Sequence, residues 1–121
     1  MMKLYLGGAG NGQADLARQE TGRTPRACTP EEALSAPAIA DFHLLVRSLL
    51  QSGNDPCAYA RKLLARNPDA VIVCDEIGLG IVPLDPFERR WREETGRALC
   101  LLAAQAERVT RVWCGIGQVI K

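Results

Sequence analysis

The residues of this chain best suited to chemistry are two acids and a glycine-rich turn. Asp75 and Glu76 close an apolar run, Ala70 to Cys74. Gly7-Gly8-Ala9-Gly10-Asn11-Gly12-Gln13-Ala14 follows a short apolar segment, Lys3 to Leu6. A glycine turn at a strand end can aim backbone N–H groups at a phosphate, and the next helix adds its dipole. Acids at the C-terminal end of a parallel strand face the crevice where open α/β sheets bind ligands. Glu76 could there hold a magnesium-bound water or accept a proton from an attacking hydroxyl, with Asp75 sharing that work. The plainer alternative is two solvated acids where a strand leaves its sheet. The segment Gly78-Leu79-Gly80-Ile81-Val82-Pro83 weakens that alternative, because it is an unusual composition for a simple connection.

The glycine turn keeps the G-x-x-x-x-G frame as Gly7 to Gly12. A phosphate loop continues with Lys, which contacts the β and γ phosphates, and then Ser or Thr, which holds magnesium. Here those positions are Gln13 and Ala14. Gln13 can donate hydrogen bonds but carries no charge, and Ala14 offers no oxygen to a metal. A glycine-rich turn without a ligand is the competing reading. Losing one preorganised charge-stabilising contact typically costs about 10²–10³ in rate, so two losses predict slow phosphoryl transfer unless another residue substitutes. His43 is the sole histidine. It could act as a nucleophile or general base, but a histidine at a helix start is more often structural. The arginines from Arg89 to Arg97 could reach phosphates, although most fit a solvated helix face. Arg97, beside Gly96, is the one singled out as nucleotide-binding.

The elements that must position these groups follow from pattern. Lys3 to Leu6 is a strand and Gly12 to Glu20 a helix. Thr21 to Cys28 is polar, holds Gly22 and Pro25, and reads as a loop. Thr29-Pro30-Glu31-Glu32 is a capping-box helix start that ends before Pro37. Ala38 to Asp41 is a weak strand. Phe42 to Gln51 is a helix with Phe42, Leu45 and Leu49 on one side. Asp55-Pro56 starts another helix, which Asn67-Pro68 stops. Ala70 to Cys74 is apolar throughout, as a buried parallel strand should be. Asp85-Pro86-Phe87-Glu88 opens a long helix, with Phe87, Trp91, Leu99, Leu102, Ala103 and Ala106 at helical spacing. Val109 to Cys114 reads as the last strand. Alternating strands and helices imply an α/β fold, a mainly parallel sheet with helices on both faces.

The chain has 121 residues and a formal net charge of +1. That length predicts a single compact domain over 1–121, and that charge gives no nucleic-acid footprint. No apolar run approaches the roughly 18 residues of a membrane span, and no signal-peptide pattern opens the chain. The five cysteines are widely spaced without a CxxC pair. They predict neither a disulfide framework nor a zinc site, and a reducing cytoplasmic setting is the simplest expectation.

The C-terminal part resembles adenosylcobinamide kinase/adenosylcobinamide-phosphate guanylyltransferase. The resemblance rests on DEIGLGIVP, on the frame formed by Arg89, Arg92, Gly96 and Arg97, on LLAAQAE, and on the closing CGIGQVIK. The turn GGAGNGQA is similar to that family's phosphate loop. The resemblance implies a phosphate-loop NTPase-like, RecA-like sheet and magnesium with GTP or ATP as cofactors. It implies nucleotide binding by Gly7, Gly8, Ala9, Gly10, Asn11, Gly12, Gln13, Ala14 and Arg97, with Glu76 catalytic and at magnesium through a water. It also implies two reactions in cobalamin assembly or salvage. One phosphorylates adenosylcobinamide, and the other transfers GMP to that phosphate through a guanylylated histidine; family enzymes can be homo-oligomers, trimers among them. Gln13, Ala14, Leu99 and Cys100 depart from the family pattern. The stretch that would carry the guanylylated histidine is missing, and His43 lies elsewhere. The expected activity is therefore kinase-like, with guanylyltransferase activity doubtful. The alternative is a catalytically degenerate protein or subunit that binds a nucleotide or a corrinoid.

Overall fold

A computed structural model of the chain describes residues 1–78 and 80–121; Leu79, part of the glycine segment after the acids, lies outside the described residues. The elements run β1 (Lys3–Gly7), α1 (Gln13–Thr21), β2 (Arg26–Ala27), α2 (Pro30–Ala33), β3 (Ala38–Ala40), α3 (Phe42–Gln51), α4 (Pro56–Arg66), β4 (Val71–Asp75), α5 (Pro86–Gln105), β5 (Arg108–Trp113) and β6 (Ile116–Val119). They build one six-stranded sheet in the order β2-β3-β4-β1-β5-β6. Every pairing is parallel except β5 with β6. The fold class expected from the alternation of strands and helices is the one found.

The sheet is covered unequally. On one face Leu4, Ile72, Cys74 and Val109 join Phe42, Val46, Leu63, Ala98 and Leu102 from α3, α4 and α5 in the main core. On the other face Tyr5, Val71, Val73 and Val112 pack against Ala17 and Leu16 of α1. β4 is buried on both sides, so its sequence lacks alternation. The helix starts follow their caps. Thr29 accepts from the Glu32 N–H at 3.2 Å while the Thr29 N–H donates to Glu32 at 2.9 Å, closing the box. Asp55 and Asp85 each accept from the backbone two residues on, ahead of a proline at the first helical position. Each such cap satisfies an amide that the helix leaves unpaired.

Two strands correct the sequence reading. Arg26 and Ala27 lie in the stretch read as a loop, yet they pair in parallel with Ile39 and Ala40 at the sheet edge. Both side chains are exposed, so this strand is held by its backbone alone and leaves no hydrophobic signature. The strand read as last is followed by β6, an antiparallel partner. Cys114 and Gly115 join the two with φ of 50° and 76°. That pair of positive values suits a two-residue hairpin, but a cysteine at the first position does not announce one.

β1 sits between β4 and β5, so its C-terminal end is crowded. A Cβ at Gly7 would stand 2.6 Å from the backbone carbonyl of Val112. That oxygen belongs to a sheet strand and cannot rotate away. We therefore expect Gly7→Ala to destabilise the domain by about 1–3 kcal/mol, read as a lower urea midpoint. An unchanged midpoint would show that the close approach of β1 and β5 is not real.

Candidate functional site

Gly7 and Asp75 are register partners on adjacent parallel strands, β1 and β4. The glycine turn and the acid pair therefore emerge side by side at the C-terminal edge of the sheet. The Glu76 N–H donates to the Gly7 carbonyl at 2.8 Å, extending the ladder one step past the strands.

The turn is built from within. Gly10 and Gly12 take φ of 78° and 85°, and Gly12 forms the N-cap of α1 without a side-chain cap. Asn11 clamps the loop to the β5–β6 hairpin: its carbonyl accepts from the Gly115 N–H at 2.8 Å and its Oδ1 from the Cys114 N–H at 3.2 Å. Gly12 passes so close to Gly115 that a Cβ would lie 3.3 Å from its Cα. Among the described residues, the amides of Ala9, Gly10, Gly12, Gln13 and Ala14 have no hydrogen-bond acceptor. The first amides of any helix lack internal partners, and here they crown the turn.

Gln13 is 4% exposed and fills the inside of the loop. Its Nε2 donates to the carbonyls of Gly7 at 2.8 Å and Gly8 at 3.0 Å, and lies 3.0 Å from Asp75 Oδ1. A neutral amide can be buried at this point because all its donor capacity is used. Ala14 is exposed and brings no oxygen.

His43 is buried beneath the acids at the start of α3. Its Nδ1 accepts the Asp75 N–H at 3.2 Å, which in a neutral ring places the proton on Nε2. That Nε2 lies 3.6 Å from Asp75 Oδ2. The Trp91 indole N–H donates to the His43 carbonyl at 2.7 Å, so α5 fixes the same backbone. The histidine thus braces Asp75 from below, in keeping with the structural alternative. Sequence reasoning gave it no link to the acids, because the contact joins the start of α3 to the end of β4, 32 positions apart.

Arg111 is a further residue that sequence reasoning missed. It lies on β5 opposite Leu6, and its Nη2 approaches Glu76 Oε2 at 3.3 Å. Its guanidinium also stands over the Trp113 ring at 5.3 Å. Only an Arg at an alternating strand position could have hinted at it. Arg97 is placed elsewhere. It pairs with Glu93 at 2.9 Å and Glu94 at 3.1 Å on α5, and it lines a groove with Cys57 and Arg61 of α4. The site cluster of Gly7, Gly8, Gln13, His43, Asp75, Glu76 and Arg111 does not include it. Arg92 instead fastens the segment after the acids to α5, donating to the carbonyls of Gly78, Gly80 and Ile81.

Asp75 and Glu76 are hard oxygen donors, partly exposed at the C-terminal edge of the sheet, and as such they fit magnesium. Ala14 removes the hydroxyl that a phosphate loop usually adds.

The family model described as Cobinamide kinase / cobinamide phosphate guanyltransferase matches residues 44–120. The bifunctional adenosylcobalamin biosynthesis protein CobU of Salmonella typhimurium is 45% identical over 51 residues, which is 42% of this chain and 28% of that relative. The chain belongs to the cobinamide kinase / cobinamide phosphate guanyltransferase family. The match takes in the acids, Arg97 and Arg111, and it begins after the glycine turn. Among the described residues no helix is long and apolar enough to cross a membrane.

Cys74, next to Asp75, has its thiol pushed up to about 12, chiefly by burial and further by the nearby carboxylates of Asp75, Asp41 and Glu76, against the His43 hydrogen bond. At pH 8 the exposed Cys100 and Cys114 should react with a thiol reagent while Cys74 stays unmodified until the protein unfolds. A raised thiol favours the folded state below its ordinary value of 9.0, and that contribution fades as pH climbs toward 12. Stability should accordingly fall between those limits. Rapid labelling of Cys74 in the folded protein would contradict the packing of β4 against α3.

Proposed function

We propose that this chain serves cobalamin biosynthesis or salvage as a nucleotide-dependent, adenosylcobinamide kinase-like protein. The observation that carries this reading is the Gly7–Asp75 register, which sets an amide-lined turn beside an acid pair at one sheet edge. The free amides of the turn and the start of α1 suit the phosphates of GTP or ATP. Glu76 suits a proton leaving the attacking hydroxyl, or a magnesium-bound water. Magnesium, when bound, would neutralise phosphate charge. Asp75 is held by Gln13 and braced by His43, so its contribution is to fix the geometry of the loop. The 44–120 family match supports the corrinoid side of the reading.

A guanylyltransferase activity is not assigned. The sole histidine is 7% exposed and its Nδ1 already accepts a backbone N–H, which leaves no free nucleophilic nitrogen. A second reading, a non-catalytic binder of nucleotide or corrinoid, is favoured by one observation: the Gln13 amide occupies the inside of the loop where a lysine would otherwise carry charge.

Calorimetry with GTP and with ATP, each with and without magnesium, tests the nucleotide site. Binding is expected, and its absence for both would sink the reading. Turnover of adenosylcobinamide with labelled GTP separates the two alternatives. Where turnover is seen, Glu76→Gln should lower it by about 10²–10³ while metal-free nucleotide binding persists. Unchanged turnover in that variant would remove Glu76 from the chemistry. Where none is seen, the combination Gln13→Lys with Ala14→Ser should create it.

A further inference from the structure

The loop lacks its lysine, yet a cation stands at the same sheet edge. β5 flanks β1, and Arg111 sits opposite Leu6, one residue before the turn begins. The guanidinium contacts Glu76, whose own N–H is bonded to the Gly7 carbonyl. Asn11 ties the turn to the Cys114–Gly115 hairpin, three to four residues beyond Arg111, so loop and strand end form one wall. Among the described residues, Arg111 is the one charged partner of the acid pair, because His43 engages Asp75 as a neutral ring.

The Arg111–Glu76 contact is also incomplete. Arg111 Nε is buried and has no hydrogen-bond partner, although the side chain as a whole is 37% exposed. A buried N–H without an acceptor is unfavourable, so a better acceptor would be taken up. Guanidinium groups prefer two-point recognition of planar or tetrahedral oxyanions, and phosphate offers that geometry. Trp113 supports the guanidinium from one side and holds it at the wall.

We propose that Arg111 supplies, from β5, the positive charge that Gln13 cannot, by binding the terminal phosphates of the nucleotide. The proposal rests on the nucleotide reading given above. Glu76 holds the guanidinium until phosphate oxygens arrive and then gives it up to them. The charge thus reaches the phosphates from the neighbouring strand, while Gln13 keeps the loop closed without charge. Arg111→Lys keeps the charge but loses the fork, so it should act as a partial substitute.

Calorimetry with GTP and GMP on the full chain tests this. Arg111→Gln should weaken GTP binding by about 10- to 100-fold and leave GMP binding unchanged. Adding Gln13→Lys to Arg111→Gln should restore most of the GTP affinity, which a purely structural arginine would not allow. Wild-type affinity for GTP in Arg111→Gln would overturn the proposal and leave the nucleotide reading standing. Failure of the natural chain to bind GTP and ATP alike would overturn both. Should Arg111→Gln not fold, the Arg111 Nε–H resonance of the natural protein decides: it should shift on addition of GTP but not of GMP, and an unmoved signal refutes the role.

Discussion

The junction at the C-terminal edge of the sheet depends on the parallel pairing of β1 with β4. Five residues on each strand are in register, from Lys3 with Val71 to Gly7 with Asp75. One residue of slip would turn Asp75 to the opposite face and separate it from Gln13. The register is protected by burial on both sides: Leu4 and Ile72 pack under α3 and α5, Tyr5 and Val73 against α1. Two hydrophobic cores thus hold a polar junction that neither of them contains.

Gln13 shows how that junction is kept without a buried charge. Its amide meets two carbonyls and one carboxylate. An ammonium there would face the same acceptors but would have to be desolvated, and its attraction to Asp75 would have to offset that cost. The neutral amide satisfies the loop by itself and so stabilises a closed turn. The consequence is electrostatic: the positive end of α1 and Arg111 are what the edge has left to offer an anion. A kinase-like reaction on this scaffold would draw on positioning and on a charge delivered from β5.

Much of the frame was legible in the sequence. The β1–turn–α1 unit, the apolar β4 and the three N-caps all declare themselves through local chemistry, and each is found. The acids and the glycine turn could be paired in the mind because both end apolar strands. Their contact could not, since it depends on β4 and β1 being neighbours although a long stretch of chain separates them. The same limit hid His43 and Arg111. Each becomes part of the site only through a partner more than 30 positions away, Asp75 or Glu76. Arg97 illustrates the reverse. Its position beside Gly96 drew attention, yet helical geometry commits it to Glu93 and Glu94. β2 and β6 escaped notice because their exposed side chains carry no burial pattern.

The central claim is that the turn, the acid pair and the end of β5 form a single binding edge for a nucleoside triphosphate. Backbone amide NMR during a titration with GTP and magnesium tests it most directly. The resonances of residues 8–14, Glu76 and Arg111 should move together, along one binding curve. Movement confined to the groove of Cys57, Arg61 and Arg97, or no movement at the turn, would contradict it.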